Sequence, residues 1–212
     1  MSPSASTTAS VKAYALLAFD TLYSKLHKVP KIPLSKITTL VDSNNNPKPE
    51  RCPLFVTWNI QDKSEDEKEL RGCIGNFGDL KLPAGVEEYA LIAALEDTRF
   101  NPIRSKELHQ LSCSVTLLKH FEKGRDPLDW ELGKHGIRIV INGGRSATFL
   151  PDVAVEQGWD KDATLKNLVR KAGFYGGDWK TMNIELTRYQ GIKDSIDFDE
   201  YIKARKELVG SE

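Results

Sequence analysis

The densest concentration of reactive residue types in the chain is Leu70-Arg71-Gly72-Cys73-Ile74-Gly75, followed by Asn76-Phe77-Gly78. Arg71 and Cys73 are two apart, so an extended segment would point both side chains to one face. A guanidinium close to a thiol favours the thiolate and would make Cys73 nucleophilic. Cys73 would equally serve as a small buried strand residue, as free cysteines often do. Gly72, Gly75 and Gly78 match neither the dinucleotide fingerprint nor a Walker A loop. They would let backbone amides approach an anionic ligand, or they would only permit a tight bend or bulge.

A second polar knot lies at Glu96-Asp97-Thr98-Arg99. In an irregular segment, Arg99 could fork onto a carboxylate or phosphate, or form an ion pair that fixes the loop. Of the four histidines, His135 has the setting for acid–base work, between Lys134 and Gly136 at the entrance of a strand. A hydrogen-bonded loop histidine is the plainer reading of it. His27, His109 and His120 read as surface residues. A Cys73–His135 nucleophile–base pair is one catalytic option. No HExxH, GxSxG or EF-hand pattern occurs, so no metal ligands are assigned and no cofactor is indicated.

The elements that must position these residues follow from periodicity. Val11 to Leu26 carries a broad helical stripe with Ser10 as N-cap; Met1 to Ser10 has the composition of a disordered lead-in. Leu34 to Val41 reads as a short ordered segment, and residues 44–49 as a turn-rich loop. Cys52 to Ile60 alternates as a strand, with Leu54, Val56 and Trp58 on one face. The polar run from Gln61 to Glu69 connects it to a second strand that enters the glycine-rich stretch. Leu82 to Asp97 is a helix with Pro83 in its first turn, buried through Val86, Tyr89, Ala90, Ala93 and Ala94. Strands follow at Ser112–Glu122, Ile137–Ile141, Ser146–Leu150 and Met182–Thr187, the middle pair joined by an Asn142-Gly143 hairpin turn. Ala163 to Ala172 is a helix closed by Gly173, and Asp197 to Val209 is a charged C-terminal helix. Short hairpin connections favour an α+β fold with a largely antiparallel sheet over a doubly wound parallel one.

Composition narrows the function. Thirty basic residues balance thirty acidic ones in the 212-residue chain. That balance gives little drive for binding nucleic acid. No apolar run spans a bilayer, and the first ten residues lack a secretory signal pattern. Cys52, Cys73 and Cys113 form no disulfide framework, which points to a reducing compartment, cytoplasmic and/or nuclear.

The chain also resembles the AMMECR domain family, in particular a fungal-like or other eukaryotic member. The resemblance rests on LRGCIG at Leu70 to Gly75, ALEDTRFNP at Ala94 to Pro102, GKHGI at Gly133 to Ile137 and ATFLPDVAVEQGW at Ala147 to Trp159. TLKNLVRKAG at Thr164 to Gly173 and LTRYQ at Leu186 to Gln190 complete it. The resemblance implies an α+β domain over residues 11–192 with a larger and a smaller lobe and a cleft near LRGCIG. Residues 1–10 and 193–212 would be extensions. It implies no settled reaction; prokaryotic relatives are associated or fused with Memo-like and radical S-adenosylmethionine proteins. Two functions follow as expectations. One is a binding or accessory domain that takes a small anionic ligand or a protein segment through Arg71, Gly72, Gly75, Asp97 and Arg99. The other is an enzyme with Cys73 as nucleophile or redox thiol and His135 as base.

Overall fold

The computed structural model describes residues 5–41, 50–61, 68–142, 144–176 and 178–210, with side chains from residue 11 onward. The fold is α+β. Its strands follow the order β2-β1-β3-β6-β4-β5 in one sheet, and the pairs β1–β2, β1–β3, β4–β5 and β4–β6 are antiparallel. These strands are β1 (Arg51–Ile60), β2 (Glu69–Lys81), β3 (Leu111–Lys123), β4 (Gly136–Ile141), β5 (Arg145–Phe149) and β6 (Ile184–Asp197). The chain divides into a larger unit, Met1–Leu117 with Ile192–Glu212, and a smaller one, Leu118–Gly191. Among the described residues, no helix is long and apolar enough to cross a membrane.

The larger unit is built around Trp58. Strand β1 alternates as its sequence requires: Leu54, Val56 and Trp58 are fully buried. Helix α3 (Ala84–Leu95) covers that face and accepts the Trp58 indole N–H at the Ala90 carbonyl, 3.1 Å away. Alanines at 90, 93 and 94 let the helix backbone come this close to the sheet. Helix α1 (Ala5–His27) brings Phe19 edge-on to Trp58, with ring centroids 5.2 Å apart. Phe19 also stacks on Tyr201 of the C-terminal helix α6 (Phe198–Val209), 4.8 Å away. Beneath that stack, the buried Asp20 carboxylate accepts from the Tyr201 hydroxyl (2.9 Å), Arg205 Nη1 (2.6 Å) and the Ile32 N–H (2.7 Å). A charge this deep is tolerated because it is paired and hydrogen-bonded.

Three sequence expectations change here and one becomes more specific. Helix α1 begins at Ala5, so Ser10 lies within it and does not cap it; Pro3 is the last breaker upstream, and alanines at 5 and 9 favour helix. The segment Leu34–Val41 is a helix, α2. Pro83 is the N-cap of α3, one position ahead of its first turn. The C-terminal helix is integral to the larger unit: Asp197 and Glu200 close a reciprocal capping box at its start, and Tyr201 is buried. The expected turn at residues 44–49 and most of the 61–69 connection lie outside the described residues.

In the smaller unit, Ile137, Ile139 and Ile141 of β4 pack with Leu165, Leu168 and Val169 of α5 (Lys161–Lys171) and with Trp130. Helix α5 starts earlier than its apolar stripe suggests. Asp160 is the cap, accepting the Ala163 N–H at 2.7 Å, and Gly173 takes φ +88° just past the C-terminus. A short helix not anticipated from sequence, α4, spans Val153–Glu156. Strand β6 runs well past Thr187, to Asp197. Its buried positions alternate at Ile184 and Leu186, then slip phase to Tyr189 and Ile192, which breaks the period-two pattern in the sequence.

Candidate functional site

Strand β2 is the terminal strand of the sheet, and LRGCIG lies along it. Asn59 of β1 pairs with Leu70 and Trp58 pairs with Gly72, which leaves Arg71 as the extra residue of a bulge. Bulges re-aim a side chain. Here Arg71 Nε reaches the carboxylate of Glu107 at 2.9 Å, in the 3₁₀ helix Ser105–Gln110. Glu107 is fixed in turn, because its other oxygen accepts the Arg104 N–H at 2.8 Å. The Arg71 and Glu107 side chains are only 13% and 18% exposed. Within this buried pair, Arg71 Nη1 has no hydrogen-bond acceptor among the described residues.

The glycines have separate jobs. A Cβ on Gly72 would fall on the Ala93 carbonyl of α3, so Gly72 is what lets helix and strand touch. A Cβ on Gly75 would collide with the Phe55 ring, which lies over this position and packs edge-on to Phe77 at 5.2 Å. Gly78 donates its N–H to the Asn76 side chain two residues back along β2. The Cα faces of Gly72 and Gly75 are thus filled by the protein's own atoms, and they form no ligand cradle on those faces.

Cys73 sits between these glycines, half-buried. Its sulfur accepts a hydrogen bond from the Thr57 hydroxyl at 3.2 Å, directly across the β1–β2 ladder. Its main-chain N–H and C=O point away from β1. Asp97 accepts the N–H at 2.9 Å, and Arg99 Nη2 donates to the carbonyl at 2.9 Å. Arg99 also binds Asp97 through Nε (2.9 Å) and Nη2 (2.7 Å). The Asp97 side chain is 3% exposed and that of Arg99 is 53% exposed. The Arg99 side-chain hydrogen bond, helped by the Cys73 and Arg99 N–H groups, holds the Asp97 carboxyl far below the usual carboxylate range despite its burial. Arg99 is raised in return, chiefly by the same hydrogen bond.

Cys73, Asp97 and Arg99 therefore meet along one edge of the larger unit, and Arg71 lies on the same strand, paired with Glu107. His135 belongs to the smaller unit. It is buried, and its Nδ1 accepts the Glu131 N–H at 3.0 Å. That bond occupies the ring's lone pair and leaves Nε2 carrying the proton, so His135 can donate there but has no free base nitrogen. Burial, then Lys134 and Arg188, lower its pKa. His27, His109 and His120 are exposed. Cys52 and Cys113 are buried, and burial pushes the Cys113 thiol well up.

Three participants escape a reading of the sequence. Thr57 is identified only by ladder register, and Phe55 only by the missing side chain at Gly75. Glu107 had a usable signal: it follows Arg104 by three residues at the start of a turn, the spacing of a capping carboxylate.

This arrangement can be set beside known proteins. The AMMECR1 family model matches residues 15–193. An uncharacterised protein of Kluyveromyces lactis is 42% identical over 210 residues, covering 89% of this chain and 92% of the relative. One from Arabidopsis thaliana is 45% identical over 168 residues, covering 74% of this chain and 78% of the relative. The crystal structure of an uncharacterised protein from Pyrococcus horikoshii superposes with a TM-score of 0.65 at 23% identity, over 87% of this chain and 90% of that one, a likeness of fold. With the match running from within α1 to within β6 and taking in the whole Cys73 edge, the chain belongs to the AMMECR1 family.

Proposed function

We propose that this domain is a binding module that takes a carboxylate or phosphate group at the outer edge of β2, with Arg71 and Arg99 as donors. The observation that carries this reading is Arg71 Nη1, a buried guanidinium nitrogen with no acceptor among the described residues. Leaving such a donor unsatisfied costs about 1–3 kcal/mol, and an oxygen ligand would recover that cost. Arg99 supports it: its guanidinium is half-exposed, and Nη1 makes no hydrogen bond among the described residues. The free cysteines Cys52, Cys73 and Cys113 suit a reducing compartment, cytoplasmic or nuclear.

Titration calorimetry with inorganic phosphate, glutarate and a nucleoside monophosphate tests this. At least one should bind, and Arg71→Lys, which keeps the charge but loses Nη1, should weaken it about tenfold or more. Arg99→Ala should weaken it as well. Binding that neither substitution alters, or no binding by any of the three, refutes the proposal.

A second reading, thiol chemistry at Cys73, draws on the half-buried sulfur and its Thr57 hydrogen bond. His135 would not be its base, for the reason given above. Alkylation of Cys73 against pH tests it: an apparent pKa clearly under the free-thiol value of about 8.5 supports the reading, and an inert thiol removes it.

A further inference from the structure

The Asp97–Arg99 pair stands where another strand would. On the outer side of β2, a paired strand would present a carbonyl to the Cys73 N–H and an N–H to the Cys73 carbonyl. The Asp97 carboxylate and the Arg99 guanidinium supply that acceptor and that donor, both at 2.9 Å. The β1–β2 ladder is unbroken from Gly72 to Asn76, so the main-chain groups of Gly75 point the same way as those of Cys73. Gly75 makes no hydrogen bond on that side among the described residues. The edge is therefore satisfied at one step and left open at the next.

Resting on the binding role proposed above, we infer that the anionic group arrives on an extended polypeptide, which adds as a strand to β2 at Gly75 while its carboxylate side chain meets Arg99. Main-chain pairing at an edge supplies affinity, and neighbouring side chains supply selectivity. Arg99 selects an acidic partner residue. The Phe55 ring lying over Gly75, with Phe77 against it, gives an apolar contact for the partner residue opposite. Arg71 forms a bulge on one side, and a second irregularity lies between the Cys52–Leu80 and Leu54–Asn76 pairs on the other. These limit the addition to a short stretch, so the edge takes a segment and not a full strand from another sheet.

The test uses the full chain and the capped peptide acetyl-Lys-Thr-Val-Glu-Val-Thr-Lys-amide, with two variants N-methylated at alternate positions so that each removes one set of main-chain donors. Binding is followed by fluorescence anisotropy, and Gly75 amide exchange by nuclear magnetic resonance. The inference expects the parent peptide to bind and to slow exchange at Gly75. One N-methyl variant should bind about tenfold more weakly than the other, and Arg99→Ala should weaken the parent peptide. If glutarate or phosphate binds in an Arg71- and Arg99-dependent way while the peptide leaves Gly75 exchange unchanged, strand addition is wrong and the anion site stands. Equal loss in both N-methyl variants overturns it too, because pairing must distinguish them. If neither the small anions nor the peptide bind, both proposals fall.

Discussion

Asp97 and Arg99, two residues apart on a loop, bind the two main-chain groups of the same residue, Cys73, each at 2.9 Å. Sheet edges invite unwanted pairing, and proteins blunt them with charges, bulges or cover. This pair blunts β2 with two side chains that also satisfy each other, which ties the loop after α3 to the centre of LRGCIG.

The two members are not equal. Asp97 is buried and gathers N–H donors from Cys73 and Arg99, whereas Arg99 is half-exposed. Arg99→Ala strands the buried Asp97 carboxylate without its counter-charge and should therefore cost about 3 kcal/mol or more in urea unfolding. Asp97→Ala leaves Arg99 half-exposed to water and orphans the Cys73 N–H, and should cost about 1–2 kcal/mol. The reverse order would refute this account of the edge.

Acid should act through the same carboxylate. The folded pKa of Asp97 lies below its unfolded value, so its contribution is fully present above about pH 4 and is lost as pH falls through the folded pKa. Asp97→Asn should be less stable at neutral pH and should show a shallower acid limb below about pH 4. Parallel acid-unfolding curves for the two proteins would contradict this.

His135 should give a separate signature at higher pH. Its folded pKa is lowered by burial, so protonation favours the unfolded chain. Its contribution is present above about pH 6.5 and is lost as pH falls through the folded pKa. His135→Gln should flatten the decline in melting temperature below about pH 6.5. An unchanged pH profile would show that the buried imidazole is not the group responsible.

Gly72 carries the steepest packing demand. Any Cβ there meets the Ala93 backbone, which cannot rotate away. Gly72→Ala should cost about 3 kcal/mol or more, while Gly144→Ala, with open space around it, should change stability by less than about 0.5 kcal/mol. Similar melting temperatures for the two variants would overturn the close-contact reading.

Legibility in the sequence followed the range of each interaction. The face of β1 that buries Leu54, Val56 and Trp58 was readable because alternation is local, and Gly173 marked the end of α5 because a helix terminus is local too. The extension of β6 was hidden by the slip between Leu186 and Tyr189. Arg71, Cys73, Asp97 and Arg99 were recognisable as chemistry-bearing residues, but their partners were not. Glu107 lies 36 positions from Arg71, and no periodicity spans that distance. The packing role of the glycines was hidden for the same reason: what occupies the space beside Gly72 and Gly75 comes from α3 and β1, elements the motif does not contain.

The larger unit takes its material from two stretches of chain, with residues 118–191 interposed between them. Phe19 and Asp20, made before that interposed stretch, wait for Tyr201 and Arg205, made after it. During synthesis, the segment up to Leu117 must therefore persist with an unclosed core until α6 clears the ribosome, while the smaller unit already has its whole sequence. Premature termination before Tyr201 would leave a solvent-facing aromatic ring above an uncompensated carboxylate, a form well suited to capture by chaperones.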